Sequence, residues 1–132
     1  MSDTVGVFGR VGWANGNIEP WDNTDIDFSI QAGVSLSGKR WNRPDDTVGI
    51  AGVLNGISNI HAAYFNAGGV GIVIGDDRLP KPGLEQIIES YYSYALTTST
   101  VISLDYQFIR NPAYNLDRGP VNVFAGRFHW TF

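Results

Sequence analysis

Glu85 and Glu89 are two carboxylates four residues apart, a pairing that in principle supplies acid and base across a glycosidic bond. On a strand they share one face at a spacing of about 13 Å, and nothing else in the chain completes a catalytic set. The histidines, His61 and His129, have no partners at metal-ligand spacing, and the chain has no cysteine. Asp45-Asp46 and Asp76-Asp77 lack the Asp-x-Asp-x-Asp-Gly order of a calcium loop, and turn chemistry accounts for both pairs. Gly69-x-Gly71-x-x-x-Gly75 is not the dinucleotide fingerprint and opens no helix. These residues predict no enzyme, no metal and no cofactor. The chemistry left to them is weak, non-covalent contact with a polar solute.

The segments that position these residues alternate polar and apolar side chains. The most informative is Pro120 to Phe132, PVNVFAGRFHWTF, where Phe124, Gly126, Phe128, Trp130 and Phe132 share one face of an extended strand. Val123, Arg127, His129 and Thr131 take the other. In water, a final strand lined with rings invites pairing with other chains. A bilayer solvates the same face, and outer-membrane barrels carry apolar residues outward at every second position between two aromatic girdles. Alternating hydrophobes ending in a terminal Phe also resemble the assembly signal of such barrels.

Five further strands are predicted. Thr4 to Ala14 sets Val5, Val7, Gly9, Val11 and Trp13 against Gly6, Phe8, Arg10 and Gly12. Asp25 to Ser37 is the cleanest, with Ile26, Phe28, Ile30, Ala32, Val34 and Leu36 opposing Asp25, Asp27, Ser29, Gln31, Gly33 and Ser35. Thr47 to Asn55 places Val48, Ile50 and Leu54 against Thr47, Gly49 and Ala51, and Val53 breaks the alternation. Leu84 to Leu96 separates Ile88, Tyr92, Tyr94 and Leu96 from Glu85, Glu89 and Ser93, with a short helix through Leu84, Ile87 and Ile88 as the rival reading. Ser99 to Arg110 sets Ile102, Leu104, Tyr106 and Phe108 against Ser103, Asp105 and Gln107. Several of these reach about 11 residues, longer than ordinary globular strands and close to the 9 to 11 that cross a bilayer when tilted.

With Phe132 at the periplasmic end, the joins Asn15–Thr24, Gly56–Gly83 and Asn111–Gly119 face outward, and Gly38–Asp46 and Thr97–Thr98 face the periplasm. The long join carries a predicted helix, Ser58 to Asn66, with a Ser N-cap and Gly68-Gly69 closing it. The apolar stretch Val70 to Ile74 follows, ended by the turn Gly75-Asp76-Asp77.

Composition agrees: 132 residues with 16 Gly, 13% aromatics and a net charge of −4 suit one all-β unit. A mean hydropathy of −0.09 excludes helical membrane proteins but not barrels, whose strands average two faces. Mild acidity without a basic stripe argues against a nucleic-acid partner. Met1 to Thr4 shows no charged n-region, apolar h-region or cleavage site, so export of this chain by itself is not expected.

The stretches GKRWNRPDDTVGIAGVLNGIS, GLEQIIESYYSYAL and LDYQFIRNPAYNLDRGPVNVFAGRFHWTF, together with upstream GRVGWANGNIEPW, resemble the C-terminal third of the carbohydrate-selective outer-membrane porins of Gram-negative bacteria (OprB type). The resemblance implies an all-β, antiparallel up-and-down transmembrane barrel segment of about six strands, with one long loop carrying a short helix. It belongs to a larger barrel of ~16–18 strands around an aqueous channel. Mono- or oligosaccharides are then the expected solutes, outer-membrane lipid the surroundings, and the barrel-assembly machinery the reader of Phe132.

By parity the channel-lining candidates are Arg10, Asp27, Gln31, Glu89, Asp105, Gln107, Arg127 and His129, with Arg127 and Asp105 the preferred pair on neighbouring strands. Trp13, Tyr92, Tyr94, Tyr106, Phe108, Trp130 and Phe132 are the lipid-facing or girdle aromatics. Two other readings stand beside this one: a soluble β-sandwich that binds carbohydrate with the aromatics as its core, and a self-associating piece that closes a barrel only as an oligomer.

Overall fold

Period-two alternation sustained for nine or more residues leaves the chain little choice but extended strands, because neither a helix nor a loop could segregate those side chains. The computed structural model describes residues 4–18, 25–71 and 78–132. It contains six strands: β1 (Val5–Trp13), β2 (Phe28–Ser37), β3 (Thr47–Gly56), β4 (Glu85–Thr97), β5 (Thr100–Arg110) and β6 (Val121–Trp130). They form one antiparallel up-and-down sheet in sequence order, with β1 and β6 at its edges. All strand pairs lie within a single layer, so a β-sandwich, which needs two packed sheets, is not the architecture of the described residues. Among the same residues no helix is long and apolar enough to cross a membrane.

Register keeps the two faces in phase across the whole sheet. One row runs Val7, Val34, Ile50, Ser90, Tyr106, Phe124, and the adjacent row on the opposite face runs Phe8, Gly33, Ala51, Glu89, Gln107, Val123. A slip of one residue at any pair would have mixed them. Away from the β2–β3 turn, the described residues leave the apolar face largely uncovered: Val7 is 62% exposed, Leu104 68% and Phe124 78%.

The buried apolar cluster among the described residues lies instead at one end of the sheet. Phe65, Leu79, Ala113 and Tyr114 form it, with Ile26 and Ile57 packed alongside. They come from the three long joins, which places those joins at the same end, as their alternation with short turns predicts.

The helix of the long join, α1 (Asn59–Asn66), begins one residue after the predicted start because Ser58 is its cap, accepting at Oγ from His61 N at 3.1 Å. It closes with Gly68 at φ +97° and bonds from Gly68 N to Phe65 O and Gly69 N to Tyr64 O, a Schellman motif. Ser58→Ala is expected to cost about 1 kcal/mol locally, read as faster protease cleavage in the 57–71 segment with the sheet unaffected.

Strand limits differ from expectation by one to three residues, most at β2, which starts at Phe28 rather than Asp25. Asp25 and Asp27 are drawn into loop contacts: Asp27 N donates to Gly56 O at 3.0 Å, and its carboxylate holds the start of α1. The Leu84–Leu96 region is a strand, not a helix. Of the predicted stretch Val70–Ile74 and its Gly75-Asp76-Asp77 turn, residues 72–77 lie outside the described residues.

The Gly38–Asp46 connection is a folded turn. A 3-10 helix (Gly38–Trp41) leads to Asn42 in the left-handed region, and Gly38 N bonds Asp46 O at 2.9 Å.

Candidate functional site

One face of the sheet carries nearly every charged strand residue, and strand pairing sets which of them meet. Arg10 lies opposite Gln31, Glu89 opposite Gln107, Tyr91 opposite Asp105, and Ser103 opposite Arg127. Gln107 Nε2 donates to Glu89 Oε2 at 3.1 Å, and the Glu89 carboxyl adjoins that of Asp105. Ser93 and Ser103 share a hydroxyl hydrogen bond of 2.8 Å. Arg127 and Asp105, the preferred pair, stand on adjacent strands of this face, with Asp105 facing Ala125 across the pairing. Together with Tyr91 these groups border a cavity of about 560 Å³. His129 shares the face near the strand end, its Nε2 3.4 Å from Thr131 Oγ1.

Toward the loop end the same face holds a hydrogen-bond ladder. Gln31 Nε2 donates to Ser29 Oγ at 3.2 Å, Ser29 Oγ to Asn55 Oδ1 at 2.9 Å, and Asn55 Nδ2 to Glu85 Oε2 at 3.0 Å. Glu85 Oε1 accepts from Ala113 N at 3.0 Å, tying the wall to the β5–β6 join. Glu85 is thereby a structural acceptor.

Asp27 is the one candidate that does not border open space. It is buried at 4% exposure, accepts Ser58 N at 2.7 Å on Oδ2, and lies 3.1 Å from His61 Nδ1. His61 Nε2 is 3.9 Å from Asp25 Oδ1, and its ring stacks on Phe65 at 4.5 Å. Asp27 continues the polar parity of β2, so this contact draws α1 over the polar side of the sheet end. The sequence reading took Asp27 as wall because alternation continues through it; the tertiary contact with α1 makes it an anchor instead.

Described residues include no cluster of three or more His, Cys, Asp or Glu side chains able to hold a metal. What the face can do is offer a row of donors and acceptors, mixed in sign, to a solute passing along it.

The opposite face is mostly apolar, with Gln86, Ser90, Arg110 and Asn122 as its polar members by register, and it carries most of the strand aromatics. Trp13 pairs with Phe28, Phe108 with Ile88, Tyr106 with Phe124, Tyr92 with Leu104 and Tyr94 with Ile102. Trp130 ends β6, with the Phe132 ring 5.6 Å away.

The family model for carbohydrate-selective porins, the OprB family, matches residues 1–132. The chain belongs to this porin family. No curated protein and no solved structure matched it. The family is one of outer-membrane transport channels rather than enzymes, and the porin's strand length, antiparallel order and face segregation accord with that membership.

Two aromatics of the polar face were not singled out as site residues, although alternation already set Phe8 beside Arg10. Phe8 and Tyr91 are aromatic yet lie on the polar face, each opposite a glycine, Gly33 and Gly49 respectively. Tyr91 was within reach, since it falls between Glu89 and Ser93 in parity. The third missed feature is Asp46, read only as a turn residue. It is 1% exposed and accepts hydrogen bonds from Arg43 Nε at 2.5 Å, Arg43 Nη2 at 3.1 Å, Tyr92 Oη at 2.5 Å and Ala95 N at 2.9 Å.

Proposed function

We propose that this chain forms part of the wall of a larger outer-membrane barrel through which mono- or oligosaccharides diffuse passively. The observation that carries the reading is the phase of the two faces. Across all six strands the polar rows stay on one side and the apolar rows on the other, and an apolar side left open is stable only in lipid. Six strands are too few to enclose a water-filled channel, which takes ~16–18, so the edges of β1 and β6 meet further strands.

Arg10, Gln31, Glu89, Asp105, Gln107, Arg127 and His129 line the lumen, and Asp27 anchors the loop at its mouth. Neutral sugars suit such a wall, because mixed donors and acceptors bind hydroxyls weakly enough for release. The outward aromatics sit at lipid or interfacial depth, and Phe132 is the residue the assembly machinery reads.

The test is refolding in detergent micelles and, separately, in plain buffer, followed by circular dichroism and a heat-modifiability gel. The expected outcome is a β-rich, heat-modifiable species formed only in micelles. A monodisperse, cooperatively folded monomer in buffer would overturn the membrane assignment.

A further inference from the structure

The β2–β3 turn reaches past its own two strands to the apolar face of β4. Trp41 Nε1 donates to Tyr92 Oη at 3.1 Å with the two rings 6.4 Å apart, and the Arg43 guanidinium lies 3.9 Å over the Tyr94 ring. Tyr92 and Tyr94 belong to the apolar face, opposite Leu104 and Ile102 on β5. The turn thus stands at the rim of that face, at the end of the sheet away from the three long joins.

Three of the chain's nine Lys and Arg residues fall within five positions here: Lys39, Arg40 and Arg43. Arg43 is committed to Asp46, whose side chain is 1% exposed, and to Ala95 O at 2.8 Å. Lys39 and Arg40 are exposed, and among the described residues neither has a carboxylate at ion-pair distance. The other carboxylate of the turn, Asp45, is exposed as well. The surface of the turn therefore presents two cations and one anion beside a group of interfacial rings.

We infer that this turn docks the headgroup of an anionic phospholipid, with Lys39 and Arg40 meeting its phosphate and Trp41, Tyr92 and Tyr94 packing along its glycerol end. The inference rests on the membrane reading above and adds a lipid preference to it. Rings of this kind settle at headgroup depth, and each basic side chain beside an anionic surface strengthens the attraction about fivefold. With Arg43 tied to Asp46 and β4, the turn keeps its shape, so the two free cations leave from a fixed place at the rim. Rings and cations that merely marked the water boundary would accept zwitterionic and anionic headgroups alike.

The test uses the complete barrel in phosphatidylcholine vesicles doped with chain-brominated phosphatidylglycerol or chain-brominated phosphatidylcholine, since bromine quenches tryptophan emission at short range. The emission of Trp41 is the difference between wild type and Trp41→Phe. Half-maximal quenching is expected at a mole fraction of brominated phosphatidylglycerol about five- to tenfold lower than of brominated phosphatidylcholine. Lys39→Gln combined with Arg40→Gln brings that ratio to about one, Lys39→Arg keeps it, and Asp45→Asn raises it. Heat modifiability, retained in each variant, checks that the barrel is folded. Equal quenching by the two lipids in wild type overturns the headgroup site, as does a ratio unchanged in the double variant, and in both cases the membrane reading stands. If neither lipid quenches Trp41, the apolar face does not meet lipid, and the membrane reading falls together with the site.

Discussion

Leu104→Arg is expected to destabilise the folded barrel by about 2–4 kcal/mol, while Ser103→Arg, one residue earlier on the same strand, costs about 1 kcal/mol or less. Leu104 stands near the middle of β5, on the apolar face, between Tyr92 and Gly126 in the pairing. If that face meets hydrocarbon, a guanidinium there has no water and no partner, and the cost is that of a charge near mid-bilayer. Ser103 points to the other side, between Ser93 and Arg127, where water remains. The Ser103→Arg change forfeits chiefly the 2.8 Å hydroxyl pair with Ser93. Reversible urea unfolding of the complete barrel in lipid vesicles, followed by tryptophan fluorescence, measures both. A reversed order would mean that the lumen and lipid faces have been exchanged. Equal small costs would mean that neither face is in lipid.

That contrast was readable from the sequence because side-chain parity on a strand is a local property. Once Asp105 and Gln107 alternate with Leu104 and Tyr106, burying one set in lipid decides where the other goes, and no knowledge of neighbouring strands is needed. Even β3 came out in the right phase despite Val53, which the structure leaves on the polar face between Gln31 and Ile87. What parity could not supply is anything joining residues far apart in sequence. Asp27 has the right parity for wall and lies one residue before β2, but His61 reaches it from 34 positions downstream. The α1 cap was legible in Ser58 and Gly68-Gly69 because capping is also local, whereas the packing of Ile26, Phe65 and Tyr114 gathers three loops whose meeting no periodicity encodes. Tyr91 shows a different limit. Its parity between Glu89 and Ser93 puts it on the polar face, but that it lies opposite Gly49 is a matter of register, which one strand alone does not encode.

Replacing Asp46 by Ala is expected to lower the heat-modifiability transition by on the order of 10 °C, a large effect for a single turn residue. The reason is convergence. Its carboxylate closes the β2–β3 turn through Arg43, fixes the Tyr92 hydroxyl, and caps Ala95 N on β4, whose carbonyl accepts from Arg43 Nη2 at 2.8 Å. Trp41 Nε1 donates in turn to Tyr92 Oη at 3.1 Å, and the Arg43 guanidinium lies 3.9 Å over the Tyr94 ring. Removing the carboxylate therefore frees a cation, a hydroxyl and a backbone N–H at once.

The same contacts give the pH dependence its sign. The hydrogen bonds from Arg43, with lesser help from Tyr92 and Ala95 N, hold the Asp46 carboxyl well below its ordinary value of 3.8. A group whose folded pKa is depressed contributes stability that is fully present above the unfolded value and is lost as pH falls toward the folded one. The difference in transition temperature between wild type and Asp46→Asn should accordingly be constant from pH 7 to about pH 5 and shrink progressively below about pH 4. Taking the difference cancels the other carboxylates, which titrate in both proteins. A gap that stays constant down to pH 2.5 would mean that the turn does not favour the Asp46 charge and that Asp46 acts through its shape and hydrogen-bonding atoms alone.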